Sequence, residues 1–103
     1  MEIKYKKTDS LLTVYVYGEL DEYSAQSAKN ILDRLIYDNV NCGGVVFDLS
    51  GLSFMDSTGI GVLIGRYKKM REYNKPIFIT NPSRNAERIF KMSGLYDIMP
   101  KIV

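Results

Sequence analysis

Asp56, Ser57 and Thr58 place a carboxylate and two hydroxyls in consecutive positions, directly ahead of an apolar series at helical spacing: Ile60, Leu63, Ile64 and Tyr67. Asp is a strong helix N-cap, so Asp56 is expected to close the first turn of a helix and leave Ser57 and Thr58 inside it. A helix start carries unpaired N–H groups and a partial positive charge. Hydroxyls there can serve nucleophilic catalysis, phosphate binding or covalent modification, and the rest of the sequence separates the three.

Catalysis has no support. A nucleophile elbow needs Gly-x-Ser-x-Gly, and the residue two before Ser57 is Met55. The 103 residues contain no histidine, which removes a Ser-His-Asp triad, a histidine base and histidine metal ligands. No Ser-x-x-Lys surrounds Ser57, and the one cysteine, Cys42, cannot build a metal cluster or an internal disulfide. No enzyme activity, cofactor or metal is therefore expected. Nucleotide binding fares little better. There is no Gly-Lys-Ser/Thr ending of a phosphate loop, and Gly59, Gly61 and Gly65 miss the dinucleotide spacing by one residue.

Modification remains, beside the plainer reading that Ser57 and Thr58 are only helix-start residues. A phosphate on Ser57 meets the helix-start field, worth about 0.3–1 kcal/mol per charge. It adds about −1.5 to −2 charges beside Asp56, with no arginine cluster in the flanking sequence. Phosphorylation is expected to repel a docked partner more than to remodel the domain. Gly59, in the first turn, is expected to lie bare for a partner's approach. Gly61 and Gly65, four apart, are expected to let the helix lie close to a sheet.

The elements that must position this stretch follow from pattern. Residues 2–6 and 12–17 alternate in polarity around Thr8-Asp9-Ser10, as an antiparallel hairpin does, with Gly18 ending the second strand. Strict alternation leaves one sheet face wet, with Tyr5, Tyr15 or Tyr17 on it. Residues 24–38 are helical, with Ala25, Ala28, Leu32, Leu35 and Ile36 inward. Residues 45–49 form a buried strand, 57–73 a helix ended by Asn74, and 76–80 a strand. Asn81 and Pro82 are expected to open a third helix that buries Ala86, Ile89 and Phe90 and stops at Gly94. Residues 98–103 are expected to add a short last strand. The order β-β-α-β-α-β-α implies an α/β fold, a mixed four- to five-stranded sheet with helices mainly on one face, in one domain spanning 1–103. Parallel crossovers then gather loops 18–23, 50–56 and 81–83 at one sheet edge, where such sheets place their sites.

Composition agrees with a globular domain: 46% hydrophobic and 25% charged residues, with a net charge of +2 that is too small to point to nucleic acid. Lys4, Lys6 and Lys7 read as a solvated strand face. The N-terminus lacks the apolar run of a signal peptide, and no stretch approaches a bilayer span, so a cytoplasmic location is expected.

Residues 45–70, VVFDLSGLSFMDSTGIGVLIGRYKKM, closely resemble the signature of bacterial anti-sigma-factor antagonists of the STAS family. Gly18-Glu19-Leu20-Asp21 resembles the family's motif after its second strand, and residues 88–95, RIFKMSGL, resemble its third-helix ending. The wording is most similar to the sporulation branch. The resemblance implies a STAS fold and a protein that, unphosphorylated, binds an anti-sigma factor serine kinase and frees the sigma factor. The kinase, which carries the ATP, then phosphorylates Ser57 and ends the interaction until a serine phosphatase reverses it. Asp21, Asp56, Ser57, Thr58, Gly59, Ile60 and Gly61 are the implied contact residues. Asp21 would pair with a basic residue of the partner or cap the first helix region. The resemblance also implies a helix beyond the last strand, for which no residues follow Val103. The rival reading is a STAS scaffold or accessory module of a stress-signalling or transporter assembly.

Overall fold

The computed structural model describes residues 1–8 and 10–102. Its elements are β1 (Glu2–Thr8), β2 (Leu11–Leu20), α1 (Ala25–Asp38), β3 (Gly44–Asp48), β4 (Leu52–Met55), α2 (Ser57–Glu72), β5 (Ile77–Thr80) and α3 (Arg84–Ser93), followed by a 3-10 turn at Leu95–Asp97. The sheet runs β1-β2-β3-β5, antiparallel between β1 and β2 and parallel thereafter. This is the expected α/β architecture with five strands. Asp9, in the expected hairpin turn, and Val103 lie outside the described residues.

The strand pattern explains the layering. In β2, Leu12, Val14 and Val16 are buried, and their sheet neighbours Val45, Phe47, Ile77 and Ile79 point the same way. Against them pack Ala28, Leu32 and Ile36 of α1, Val62, Leu63 and Met70 of α2, and Ala86 and Phe90 of α3, in one core. The opposite face carries Thr13, Tyr15, Tyr17, Phe78 and Thr80, all at least partly exposed. β1 is the sheet edge. Its Lys4, Lys6 and Lys7 are exposed, and charges there discourage edge-to-edge pairing. Tyr5 is not on the open face with Tyr15 and Tyr17. It pairs with Val14 on the helix side, and is 58% exposed because β1 lies outside the helices' cover.

Two strand boundaries differ from expectation, for one reason. β2 does not end at Gly18 but continues to Leu20, and residues 52–55, expected as loop, form β4 beside it. Gly18 takes φ +86°, the register slips between Gly18 and Glu19, and Gly18 N–H donates to Gly51 O at 2.9 Å. A glycine bulge bends both strands without ending them. Cys42 lies in the loop between α1 and β3, as expected, and its side chain is buried in the core.

The start of α3 also moves. Ser83, not Asn81, is the N-cap, and its Oγ accepts from Ala86 N–H at 3.2 Å. Asn81 turns at φ +46° and donates to Asp48 Oδ2 at 3.1 Å. Asp48 is buried, so an unmet oxygen there would cost about 1–3 kcal/mol, and the asparagine serves it instead of the helix. Ile89 is only partly buried, whereas Gly94 ends α3 at φ +73° and Leu95 folds inward as expected.

The expected last strand shrinks to a single parallel bridge between Ile79 and Lys101. Ile79 N–H donates to Pro100 O at 2.9 Å and Ile102 N–H to Ile79 O at 2.8 Å. Lys101 also grips Glu87 at 2.9 Å. Phe90 packs on Tyr96 with centroids 5.2 Å apart.

The Tyr96 hydroxyl is buried, with no hydrogen-bond partner among the described residues. Burial, and then the nearby Glu87 carboxylate, pushes its pKa up to about 12. The fold holds this proton more tightly than the unfolded chain does, where the group titrates near 10. Its contribution is complete below about pH 10 and lost as pH rises toward 12. The thermal midpoint should fall more steeply between those values in the wild type than in Tyr96→Phe; equal slopes would refute the burial effect.

Candidate functional site

β2 and β4 deliver the site. Leu20 pairs with Met55, both buried, so the chain leaves the sheet at Asp21 and Asp56 side by side. Asp56 N–H donates back to Leu20 O at 3.4 Å. The Asp56 side chain then caps α2 as its type predicts, Oδ1 accepting from Gly59 N–H at 3.1 Å, while its carbonyl accepts from Ile60 N–H at 3.0 Å. Ser57 and Thr58 follow in the first turn, both exposed, and neither side-chain hydroxyl bonds to a described residue. A rigid helix end thus presents two unengaged hydroxyls to solvent.

Asp21 sits in the adjoining turn. Its Oδ1 accepts from Tyr23 N–H at 3.0 Å and from Ser24 N–H at 3.1 Å. Ser24 Oγ accepts from Asp21 N–H at 3.0 Å and donates to Glu19 O at 2.9 Å. These reciprocal bonds fold the lead-in to α1, where Ser24 is the N-cap residue, and leave Asp21 Oδ2 without a hydrogen bond. Glu19, Asp21, Glu22 and Asp56 make no salt bridge with a described residue, so this corner is uncompensated negative charge.

The glycines have exchanged roles relative to the sequence reading. Gly59 is buried: a Cβ there would lie 2.3 Å from Leu20 O and 2.7 Å from Met55 Cγ. Gly61 and Gly65 would meet nothing within 4 Å. The buried stripe of α2 is Gly59, Val62, Leu63, Arg66 and Met70, whereas Ile60, Ile64 and Tyr67 flank it half-buried. The apolar pattern misplaces the stripe because two of its inward positions carry glycine and arginine. Arg66 faces inward to Asp33 of α1, at 3.1 Å, and Lys69 reaches the same carboxylate at 3.2 Å.

Sequence reasoning missed three contributors. Asp48 ties the loops together: Oδ1 accepts from Ser50 N–H at 3.0 Å and Ser50 Oγ at 2.7 Å, and Oδ2 accepts from Asn81. Ser83 N–H donates to Leu49 O at 3.1 Å, which ties the β3–β4 turn to residues 81–83. The signal was an aspartate closing an apolar run with serine two residues on, the spacing of an Asx turn. Phe54 at 46% and Tyr23 at 89% exposure add apolar surface beside the two aspartates. Among the described residues, no group of three or more His, Cys, Asp or Glu is placed to hold a metal ion.

The glycine exchange yields paired outcomes. Gly59→Ala should destabilise the fold by about 1–3 kcal/mol, the range for overpacking, because a backbone carbonyl blocks the new methyl. Gly61→Ala should stabilise it by about 0.5–1 kcal/mol through helix propensity alone. Denaturant midpoints measure both, and the opposite signs would show the helix in a different rotation.

Comparison with known proteins joins this geometry to a family. The family model of the STAS domain matches residues 2–103. An anti-sigma-B factor antagonist of Listeria monocytogenes is 37% identical over 100 residues, covering 96% of this chain and 84% of that protein. An anti-sigma F factor antagonist of Paenibacillus polymyxa is 32% identical over 100 residues, covering 97% and 85%. Among solved structures, the unphosphorylated form of the anti-sigma factor antagonist SpoIIAA superposes with a TM-score of 0.79 at 22% identity, covering 99% of this chain and 89% of that one. The chain therefore belongs to the STAS family, among relatives that are anti-sigma factor antagonists.

Proposed function

We propose that this protein is a phosphorylation-switched anti-sigma factor antagonist whose docking face is the start of α2, with Ser57 as the phosphate acceptor. The observation that carries the reading is the Ser57 hydroxyl, exposed and without a hydrogen bond to any described residue, on a turn held by the Asp56 cap. Unphosphorylated, the face formed by Asp21, Asp56, Ser57, Thr58, Ile60 and the exposed backbone at Gly61 binds an anti-sigma factor that is also a serine kinase. Gly59 contributes from beneath, by letting α2 sit against Leu20. The negative corner pairs with a basic side chain of that partner.

The kinase supplies ATP and the base. Its base takes the Ser57 Oγ proton, Oγ bonds to the γ-phosphorus, and ADP leaves. Ser57 alone enters that chemistry on this reading, with the protein as substrate and ligand and the kinase as the enzyme. A serine phosphatase returns the hydroxyl with water as the acceptor. On this reading the protein works in the cytoplasm with both partners; no helix among the described residues is long and apolar enough to cross a membrane.

Ser57→Asp should weaken binding to the anti-sigma kinase at least about tenfold, while the thermal midpoint stays nearly unchanged because the helix-start field tolerates the charge. Incubation with that kinase and ATP should put phosphate on Ser57, read by mass spectrometry. Phosphate on Thr58 alone, or none, would overturn the assignment. Undiminished kinase binding by Ser57→Asp would move the interface elsewhere, as the scaffold reading requires.

A further inference from the structure

The sheet edge that carries the acidic corner has a second pole of opposite sign. The β3–β4 turn and the start of α3 enclose an open groove of ≈ 420 Å³, whose polar lining is Ser50, Ser53, Ser83, Arg84, Asn85 and Arg88. No Asp, Glu or aromatic residue lines it. Arg84 and Arg88 are exposed, one turn apart on α3, and neither forms a salt bridge with a described residue. The one carboxylate of α3, Glu87, is already held by Lys91 at 3.5 Å and Lys101 at 2.9 Å. Asp48, at the end of β3, is spent on Ser50 and Asn81.

We propose that this groove docks an acidic segment of a protein partner, through paired carboxylates on Arg84 and Arg88. Unpaired arginines present forked donors that match carboxylates two at a time. The groove offers no ring on which a nucleobase could stack, and the chain's small net charge gives no field for a polynucleotide. Its floor is stiff, because Asp48 and the Ser83–Leu49 bond hold both walls together. Ser53 lines the groove and Asp56 stands three residues further on, about 10 Å along an extended chain. A partner meeting both poles must carry a basic group and an acidic segment on one face, which fixes its orientation on the edge. The groove itself does not depend on Ser57 being the acceptor, although the two-pole arrangement rests on that reading.

The test begins with the isolated protein. Titration with a short poly-glutamate peptide, followed by amide and arginine Nε–H chemical shifts, should perturb residues 50–53 and 83–88 selectively. Arg84→Glu/Arg88→Glu should weaken that binding at least about tenfold, and Lys4→Glu/Lys6→Glu, on the far edge, less than about twofold. Equal loss in both variants, or shifts spread over Lys4 and Lys6 as much as the groove, would overturn the proposal. Tripolyphosphate binding the same residues more tightly than the peptide would also overturn it, and make the groove a phosphate site. Binding of the Arg84→Glu/Arg88→Glu variant to the anti-sigma kinase then separates the two readings. A Ser57-dependent interaction that ignores the arginines sinks the groove as a docking site and spares the switch.

Discussion

The second helix begins where it does because Gly59 has no side chain. With Leu20 O only 2.3 Å from the position a Cβ would take, α2 lies directly on the end of β2. That contact fixes the depth and rotation of the helix, and with them the height of Ser57 above the sheet. It also explains how Asp21 and Asp56, thirty-five residues apart in sequence, leave paired strands as neighbours. A methyl at Gly59 would lift the helix start away from the Leu20 turn, and the acidic corner would open. The feature that is hardest to see from outside, a buried glycine, is thus what arranges the exposed residues.

Around this contact, above the buried Leu20, Leu49, Leu52 and Met55, the loops are tied to one another by polar bonds. Asp48 satisfies Ser50 and Asn81 from a buried position, and Asp21 satisfies its own turn through Tyr23 and Ser24. Such turns keep their shape when surface charge changes, since their donors and acceptors are matched internally. The framework is therefore suited to carrying a switch that acts on the surface alone.

Much of this was legible in the sequence, for identifiable reasons. The Asp56 cap, the run of buried β3, the Gly94 stop and the gathering of loops at one edge follow from side-chain type and period. What escaped depended on residues that break the pattern they belong to. Gly59 and Arg66 occupy core-facing positions of α2, so the apolar residues alone give a stripe rotated away from the true one. β4 was hidden because its burial runs in–out–out–in after the Gly18 bulge and not in strict alternation. Asn81 resembled a cap, and its attraction to Asp48, thirty-three residues away, is tertiary information. The proximity of Arg84 and Arg88 to the β3–β4 turn is of the same kind: nothing near Ser57 in sequence announces it.

The corner's charge bears on why a phosphate would end an interaction that a hydroxyl permits. A basic residue on the partner, drawn to Asp21 and Asp56, would at first sight welcome a further negative group. Coulomb attraction is not the deciding quantity. A hydroxyl buried at an interface needs one hydrogen bond to offset a cost of about 1–3 kcal/mol. A phosphate of nearly two charges must shed much firmer hydration, an effective cost of several kcal/mol per ion unless a dedicated set of donors receives it. The charged side chains of this corner are carboxylates, and Arg84 and Arg88 lie in their own groove. The helix-start field returns about 0.3–1 kcal/mol per charge, which suffices to keep the phosphorylated domain folded in water but not to carry the phosphate into a dry interface. On the proposed reading the same group would be tolerated by the fold and rejected by the complex, and the difference would lie in dehydration.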